Sequence, residues 1–370
     1  MKLLNKIKKK IDKKENISKA KKSSKRKTLI KDFDEIVKRG YEEEIKNVFK
    51  KCDINAYGGY DKTNALSFEL SENLMRWLVE NGANIEYEDR FGKHPLHHQV
   101  INPHGHPEYL IQLGANIEAT DSWGNTPLFY ATCFFRIDHM KILVESGARV
   151  NALNSNGETP LLKAMKYTKN GNIPDLVKIV HYLLEQGARL TRKEKEEVKR
   201  IGEDFEWFRD CISKDSIGEI EENLMELYRL FKVEPVPKRI IYDGKSKIRV
   251  KAKQWQDQHE ELWKLLVPTL GHASTIQGEV IRISGKLSYE INHNGRINWN
   301  KEFKKMADSL LTYCRCGHQL SQIEIGELKK IVHNINHIQE DDLDKLTQLC
   351  VKWVLLNPYP LSLDHVDYNR

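Results

Sequence analysis

The chain has 370 residues, of which 39% are hydrophobic and 31% charged, a length that allows two domains and a balance ordinary for a globular protein. No apolar run reaches the ~18 residues of a membrane-spanning helix, and the six cysteines are mostly scattered, which argues against a disulfide framework. The net charge of +7 is unevenly held: residues 1–31 carry 14 Lys or Arg against Asp12 and Glu15, so the remainder is acidic at −5.

The basic segment 1–31 reads as a flexible tail. Leu3, Leu4, Ile7 and Ile11 recur at helical spacing but are interrupted by lysines, so neither a signal peptide nor a transmembrane span is legible there, and a cytoplasmic location is expected. Such a tail either stays solvated or touches an anionic surface such as lipid, nucleic acid or an acidic partner. Helical patterning starts at Asp32. Gly40 to Phe49, followed by Asp53-Ile54-Asn55-Ala56, reads as the second helix and exit turn of a degenerate repeat, with Lys51 where later units have glycine and Cys52 where they have alanine. Thr63-Asn64-Ala65-Leu66 opens a weak second unit.

From Asn81 to Met165 one phrase is then repeated three times. Gly82-Ala83, Gly114-Ala115 and Gly147-Ala148 lie 32 and 33 residues apart, as do Pro95, Pro127 and Pro160 in His94-Pro95-Leu96, Thr126-Pro127-Leu128 and Thr159-Pro160-Leu161. Each proline suits the first position of a helix, where no amide hydrogen is needed, with Thr126 and Thr159 as caps. The Gly-Ala glycines suit the left-handed backbone just past a helix end. Gly92, Gly124 and Gly157 mark the tips of the turns between units. The third unit needs a turn over Asn102 to Pro107, and the fifth has an insertion placed in Tyr167 to Asn172.

A period near 33 with this content resembles ankyrin-repeat proteins, each unit a turn followed by two helices. The resemblance implies an all-α solenoid of about five repeats over residues 32–190, binding a protein partner without chemistry of its own. The variable positions become the candidate partner-binding residues. These are Arg90-Phe91, Ser122-Trp123 and Ser155-Asn156 before the tip glycines, and His98, Tyr130 and Lys163 on the first helices, facing the concave side. Large aromatics at a tip are either binding anchors or rings stacked on their neighbours.

Residues 191–234 read as a helical cap and connector, with Val198, Ile201, Phe205 and Phe208 on one helix face and a second helix from Ile217 to Phe231. A helical domain follows over 235–370. It opens with a short hairpin around Asp243-Gly244 and continues as helices from about Gln254 to Val267, Thr275 to Asn292, Trp299 to Cys314, Glu324 to His333 and Asp341 to Leu356.

Two polar constellations stand out there. Glu279 and Arg282 are one helical turn apart and can pair, either as a surface or interhelical ion pair or, facing the bundle interior near His259, as an acid and a base. Cys314-Arg315-Cys316-Gly317-His318 is too tightly spaced for an ordinary zinc set and reads as a helix terminus, so no metal and no cofactor are expected.

Trp255 to Trp263, Leu266-Val267-Pro268, Gln277-Gly278-Glu279 and Asn298-Trp299 resemble a helical module of bacterial proteins from toxin and immunity loci, spanning roughly residues 235–370. That likeness implies an immunity protein that masks a toxin. The alternative from a different class is an enzyme with its active site at His259, Glu279 and Arg282.

Overall fold

The structure is a computed structural model that describes residues 25–338 and 340–369. The expected basic tail lies outside the described residues up to position 24. Its end does not: Arg26–Thr28 forms strand β1, and Leu29 behind it is buried. The described residues fall into two compact units. One runs to Phe205 and includes Lys214–Pro235; the other joins Glu206–Ser213 to the chain from Val236 onward.

In the first unit, helices α1 (Phe33–Arg39) and α2 (Glu42–Lys51) precede strand β2 (Cys52–Gly58). β2 pairs in parallel with β1 and antiparallel with β3 (Thr63–Asn64). This small sheet was not legible in the sequence. Lacking glycine at Lys51, the chain leaves α2 directly in extended form at Cys52 rather than turning through the left-handed region. The first helix of the second unit shrinks to one 3₁₀ turn, Ala65–Ser67, before α3 (Glu72–Glu80).

The next three units each give two helices: α4 (Pro95–Ile101) with α5 (Pro107–Gln112), α6 (Pro127–Cys133) with α7 (Ile137–Glu145), and α8 (Pro160–Tyr167) with α9 (Ile173–Glu185). The insertion in the fifth unit is a 3₁₀ turn, Asn170–Asn172. As the prolines require, each of α4, α6 and α8 begins on one. Gly82, Gly114 and Gly147 take φ of +92°, +94° and +101°, and the amides of Ala83, Ala115 and Ala148 reach back 2.9 Å to the carbonyls of Leu78, Leu110 and Leu143. One cap departs from expectation. Thr159 accepts the Leu162 amide, whereas the Thr126 hydroxyl is buried with no hydrogen-bond partner among the described residues.

A second recurrence ties unit to unit. The residue after each Ile or Val of the exit turn, namely Asn55, Glu86, Glu118 and Asn151, accepts a backbone amide from the following unit, at Asn84, Asn116, Arg149 and Arg189. Both helices of each of these three units contribute buried leucines to the core, among them Leu96, Leu110, Leu128, Leu143, Leu161 and Leu183. Helices α10 (Arg192–Phe208) and α11 (Lys214–Phe231) follow. Val198, Ile201 and Phe205 are buried as expected, but Phe208, placed on the same face by the sequence, is 43% exposed.

The second unit is built around α13 (Ile276–Asn292), with α12 (Trp255–Leu266), α14 (Lys301–Tyr313), α15 (Gln322–His333) and α16 (Glu340–Leu356). α12 comes close to α13 at Gly285, where a Cβ would lie 2.3 Å from the Trp263 ring. The expected hairpin near Asp243-Gly244 is absent. Asp243 does close a turn by accepting the amides of Lys245 and Ser246. The flanks bond elsewhere, Ile248 to the Pro358 carbonyl, Lys251 to Glu261 and Arg239 to Glu206, so no ladder forms between them. After Pro358 the chain is an extended strap on α13. The Gln277 side chain donates to the carbonyls of Asn357 and Tyr359 and accepts the Leu361 amide.

Candidate functional site

Each tip is organised by one short polar side chain. Asp89 Oδ1 accepts the amides of Phe91 and Lys93, Asp121 Oδ1 those of Trp123 and Asn125, and Asn154 Oδ1 those of Asn156 and Glu158. The tips then bond to one another through the backbone: Arg90 donates its amide to the Asp61 carbonyl, Ser122 to that of Phe91 and Ser155 to that of Trp123, at 2.8, 3.0 and 3.0 Å. Glycine is needed for this approach. A Cβ on Gly92 or Gly124 would lie 2.8 or 2.9 Å from the next tip's amide nitrogen, and both residues have positive φ.

This spacing lines up three aromatic rings. Phe91 lies 6.3 Å from Tyr60 and 6.0 Å from Trp123, the latter pair stacked at 22°. The rings stack on their neighbours and still present surface, since Tyr60 is 71% and Trp123 49% exposed. Ser155 and Asn156 are exposed at the last of these tips and add no ring.

The three first-helix residues named from the sequence reach their own tips. His98 donates Nε2–H to Asp89 over 2.9 Å, Tyr130 donates its hydroxyl to Asp121 over 2.5 Å, and Lys163 lies 3.5 Å from Glu158. All three are half-buried. Burial alone pushes the Asp121 carboxyl upward, but Tyr130, Asn125 and the tip amides outweigh it and hold the group below the usual carboxylate range. The same balance, with Lys166 and Asn154 as the main partners, brings Glu158 down to about 2. Burial and the Asp121 charge push the Tyr130 hydroxyl up. Beside it, burial raises the Cys133 thiol to about 12, so it is no thiolate nucleophile at neutral pH.

Two exposed aromatics were missed by the sequence reading. Phe134 stacks on Tyr130 at 6.2 Å and 12°, and Tyr167 holds the equivalent place one turn beyond Lys163. Their separation, 33 residues, was the available signal. The sequence spacing places Tyr167 in the insertion loop instead.

The three residues of the catalytic alternative do not converge. Glu279 and Arg282 pair at 2.6 and 2.8 Å inside the second unit, both fully buried, but their further partners are His272, the Ala273 amide and Tyr368, which donates its hydroxyl to Glu279. His259 instead meets Ser284 at 3.0 Å and lines a separate, mainly apolar cavity of about 580 Å³ with Trp263, Tyr289 and Phe303. On the α13 wheel, positions 281 and 284, next to which His259 sits, point roughly opposite to 279 and 282, which explains the separation. Burial pushes the Glu279 carboxyl up, and Arg282, Tyr368 and the Ala273 amide together hold it below the ordinary range.

Cys314 is buried against Cys350, Cys316 meets the Thr312 carbonyl, and the His318 amide donates to Asn357. Among the described residues no group of three or more His, Cys, Asp or Glu is placed to hold a metal ion. Nor is any described helix long and apolar enough to cross a membrane.

An array of turn-and-two-helix units, latched tip to tip, defines a repeat solenoid. Residues 64–154 and 104–194 match the family model of ankyrin repeats in three copies, and this part of the chain is a run of ankyrin repeats. No curated protein matches the chain.

Proposed function

We propose that the protein is a non-catalytic binding protein that docks a protein partner on the tips and adjoining first helices of its ankyrin repeats. The observation that carries this reading is the ring ladder Tyr60, Phe91 and Trp123, fixed across successive tips by backbone bonds yet about half open to solvent at Trp123. Rigid, preorganised aromatics are the side chains in which interface energy concentrates, because they lose little conformational freedom on binding. Phe134 and Tyr167 extend the same surface. A narrower form of the proposal, an immunity protein whose partner is a toxin, rests on the resemblance of residues 235–370 alone. The enzyme reading lacks geometric support, since His259 stands apart from Glu279 and Arg282.

The test is capture of the partner by the full chain, followed by titration of wild type and Trp123→Ala. Affinity should fall by about 2 kcal/mol or more with circular dichroism unchanged. Equal affinity for both proteins would move the interface off the ladder.

A further inference from the structure

We propose, resting on the docking surface just described, that its occupant is an acidic protein segment carrying a central aromatic or aliphatic side chain. The three acids that organise the tips are turned inward, while Glu88 beside them is exposed. Asp89 shows 1% of its side chain to solvent, Asp121 and Glu158 are buried, and all three are engaged with their own unit. The cations are turned outward. Arg90 lies 4.6 Å over the Tyr60 ring, and Lys93 sits 5.7 Å from Phe91 and 5.3 Å from Tyr130, so that Lys93 bridges the tip ladder to the Tyr130–Phe134 stack. Neither Arg90 nor Lys93 has an ion-pair partner among the described residues. What a partner meets is a continuous chain of rings flanked by two unpaired positive charges.

The rings themselves add to that preference. Phe91 and Trp123 face each other, and the cations lie over Tyr60, Phe91 and Tyr130, so a face of each of these rings is already occupied. An aromatic edge is electropositive and suits a carboxylate, whereas a nucleic-acid base needs an open ring face to stack on. The unpaired Arg90 and Lys93 supply the preference for carboxylates, and the oligothymidylate separates carboxylates from the phosphates of a nucleic acid. Phe134 and Tyr167 supply exposed apolar area for the central side chain.

The experiment uses the full chain and three labelled peptides of equal length, each with a central Phe flanked by Glu, Lys or Ser, together with a single-stranded oligothymidylate. Binding is read by fluorescence anisotropy at low and moderate salt. The Glu peptide should bind at least about tenfold more tightly than the Lys and Ser peptides and weaken as salt is added. The double variant Arg90→Glu/Lys93→Glu should lose about tenfold for the Glu peptide and gain for the Lys peptide. Arg90→Gln/Lys93→Gln, a milder pair, should show the loss without the gain. Equal binding of the three peptides, binding of none, tighter binding of the oligonucleotide, or indifference to both double variants would each overturn the proposal. If the peptides fail while Trp123→Ala still loses the captured partner, the acidic chemistry falls and the docking surface stands.

Discussion

Tyr130 donates its hydroxyl to Asp121 across 2.5 Å, the same relationship that His98 has to Asp89 one unit earlier. In both cases one carboxylate oxygen organises the tip backbone and the other receives the first helix of the same unit. Tip and helix are thereby one rigid piece, and the exposed rings are carried on it. Preorganisation of this kind lowers the ordering cost of binding without adding contacts.

Removing one such tie should be measurable. Tyr130→Phe keeps the ring and its stack on Phe134 but takes a donor from a buried carboxylate, which retains Asn125 and the tip amides. Hydrogen bonds to charged groups contribute about 2 kcal/mol, so the urea midpoint should fall by an amount of that order. An unchanged midpoint means that the contact contributes nothing in solution.

His97 predicts a pH dependence. It is fully buried, with Nε2–H donated to the Asn125 carbonyl at 3.1 Å and Nδ1 accepting the His94 amide at 3.0 Å, which fixes a neutral ring. Burial, only partly opposed by the Asn125 carbonyl, lowers its pKa from 6.5 to about 4. The unfolded chain then binds more protons between those values, so stability is fully present above about pH 6.5 and is lost as pH falls towards 4, by up to about 3 kcal/mol. His259 is lowered in the same sense by burial, so the measurement is a comparison with His97→Gln, whose unfolding free energy should change less from pH 7 to 5. Parallel curves for the two proteins would show that His97 does not titrate in this window.

How much of this was legible depended on whether the cause was local. Proline at a helix start and glycine past its end act through their own backbone dihedrals, so the repeats were readable from Gly82, Pro95 and their successors. The five C-terminal helices were bounded by equally local stops. The sheet of β1, β2 and β3 pairs Arg26 with Cys52, a contact that no local pattern announces. The supposed hairpin shows the opposite error, since turn chemistry at Asp243-Gly244 was correct but Ile248 found its acceptor at Pro358, far along the chain. The same distance hid Tyr368 as the partner of Glu279, while His259, nearer in sequence, was chosen in its place.

The two tip glycines Gly124 and Gly157 should respond differently to alanine. Both have positive φ, +75° and +66°, which costs a side chain about 1 kcal/mol. At Gly124 the added carbon also lies 2.9 Å from the Ser155 amide nitrogen, whereas at Gly157 it meets nothing within 4 Å. Gly124→Ala should therefore be the more destabilising by roughly 1–2 kcal/mol in denaturant unfolding, because the tip ladder must shift. Equal losses would place the two tips in the same environment and contradict the backbone bond from Ser155 to Trp123.

The buried pair Glu279–Arg282 gives the sharpest separation of structure from catalysis. Glu279→Gln removes the charge that compensates a fully buried guanidinium, and breaking such a pair from one side costs about 3–5 kcal/mol. Glu279→Gln/Arg282→Met removes both charges, and the double variant should be less destabilised than the single one, since no unpaired charge is left inside. Tyr368→Phe takes away one donor and should cost about 1–2 kcal/mol, with faster amide exchange along the strap after Pro358 as its own signature. Glu279 also adds a pH term: its carboxyl is held below the unfolded value, so its contribution is present above that value and lost as pH falls, and the double variant should lack it. These losses should appear in unfolding free energy measured on the full chain, while partner affinity at a temperature where all variants are folded should stay at the wild-type level. Loss of binding by the double variant with its stability recovered would instead assign this buried cluster a direct part in the function.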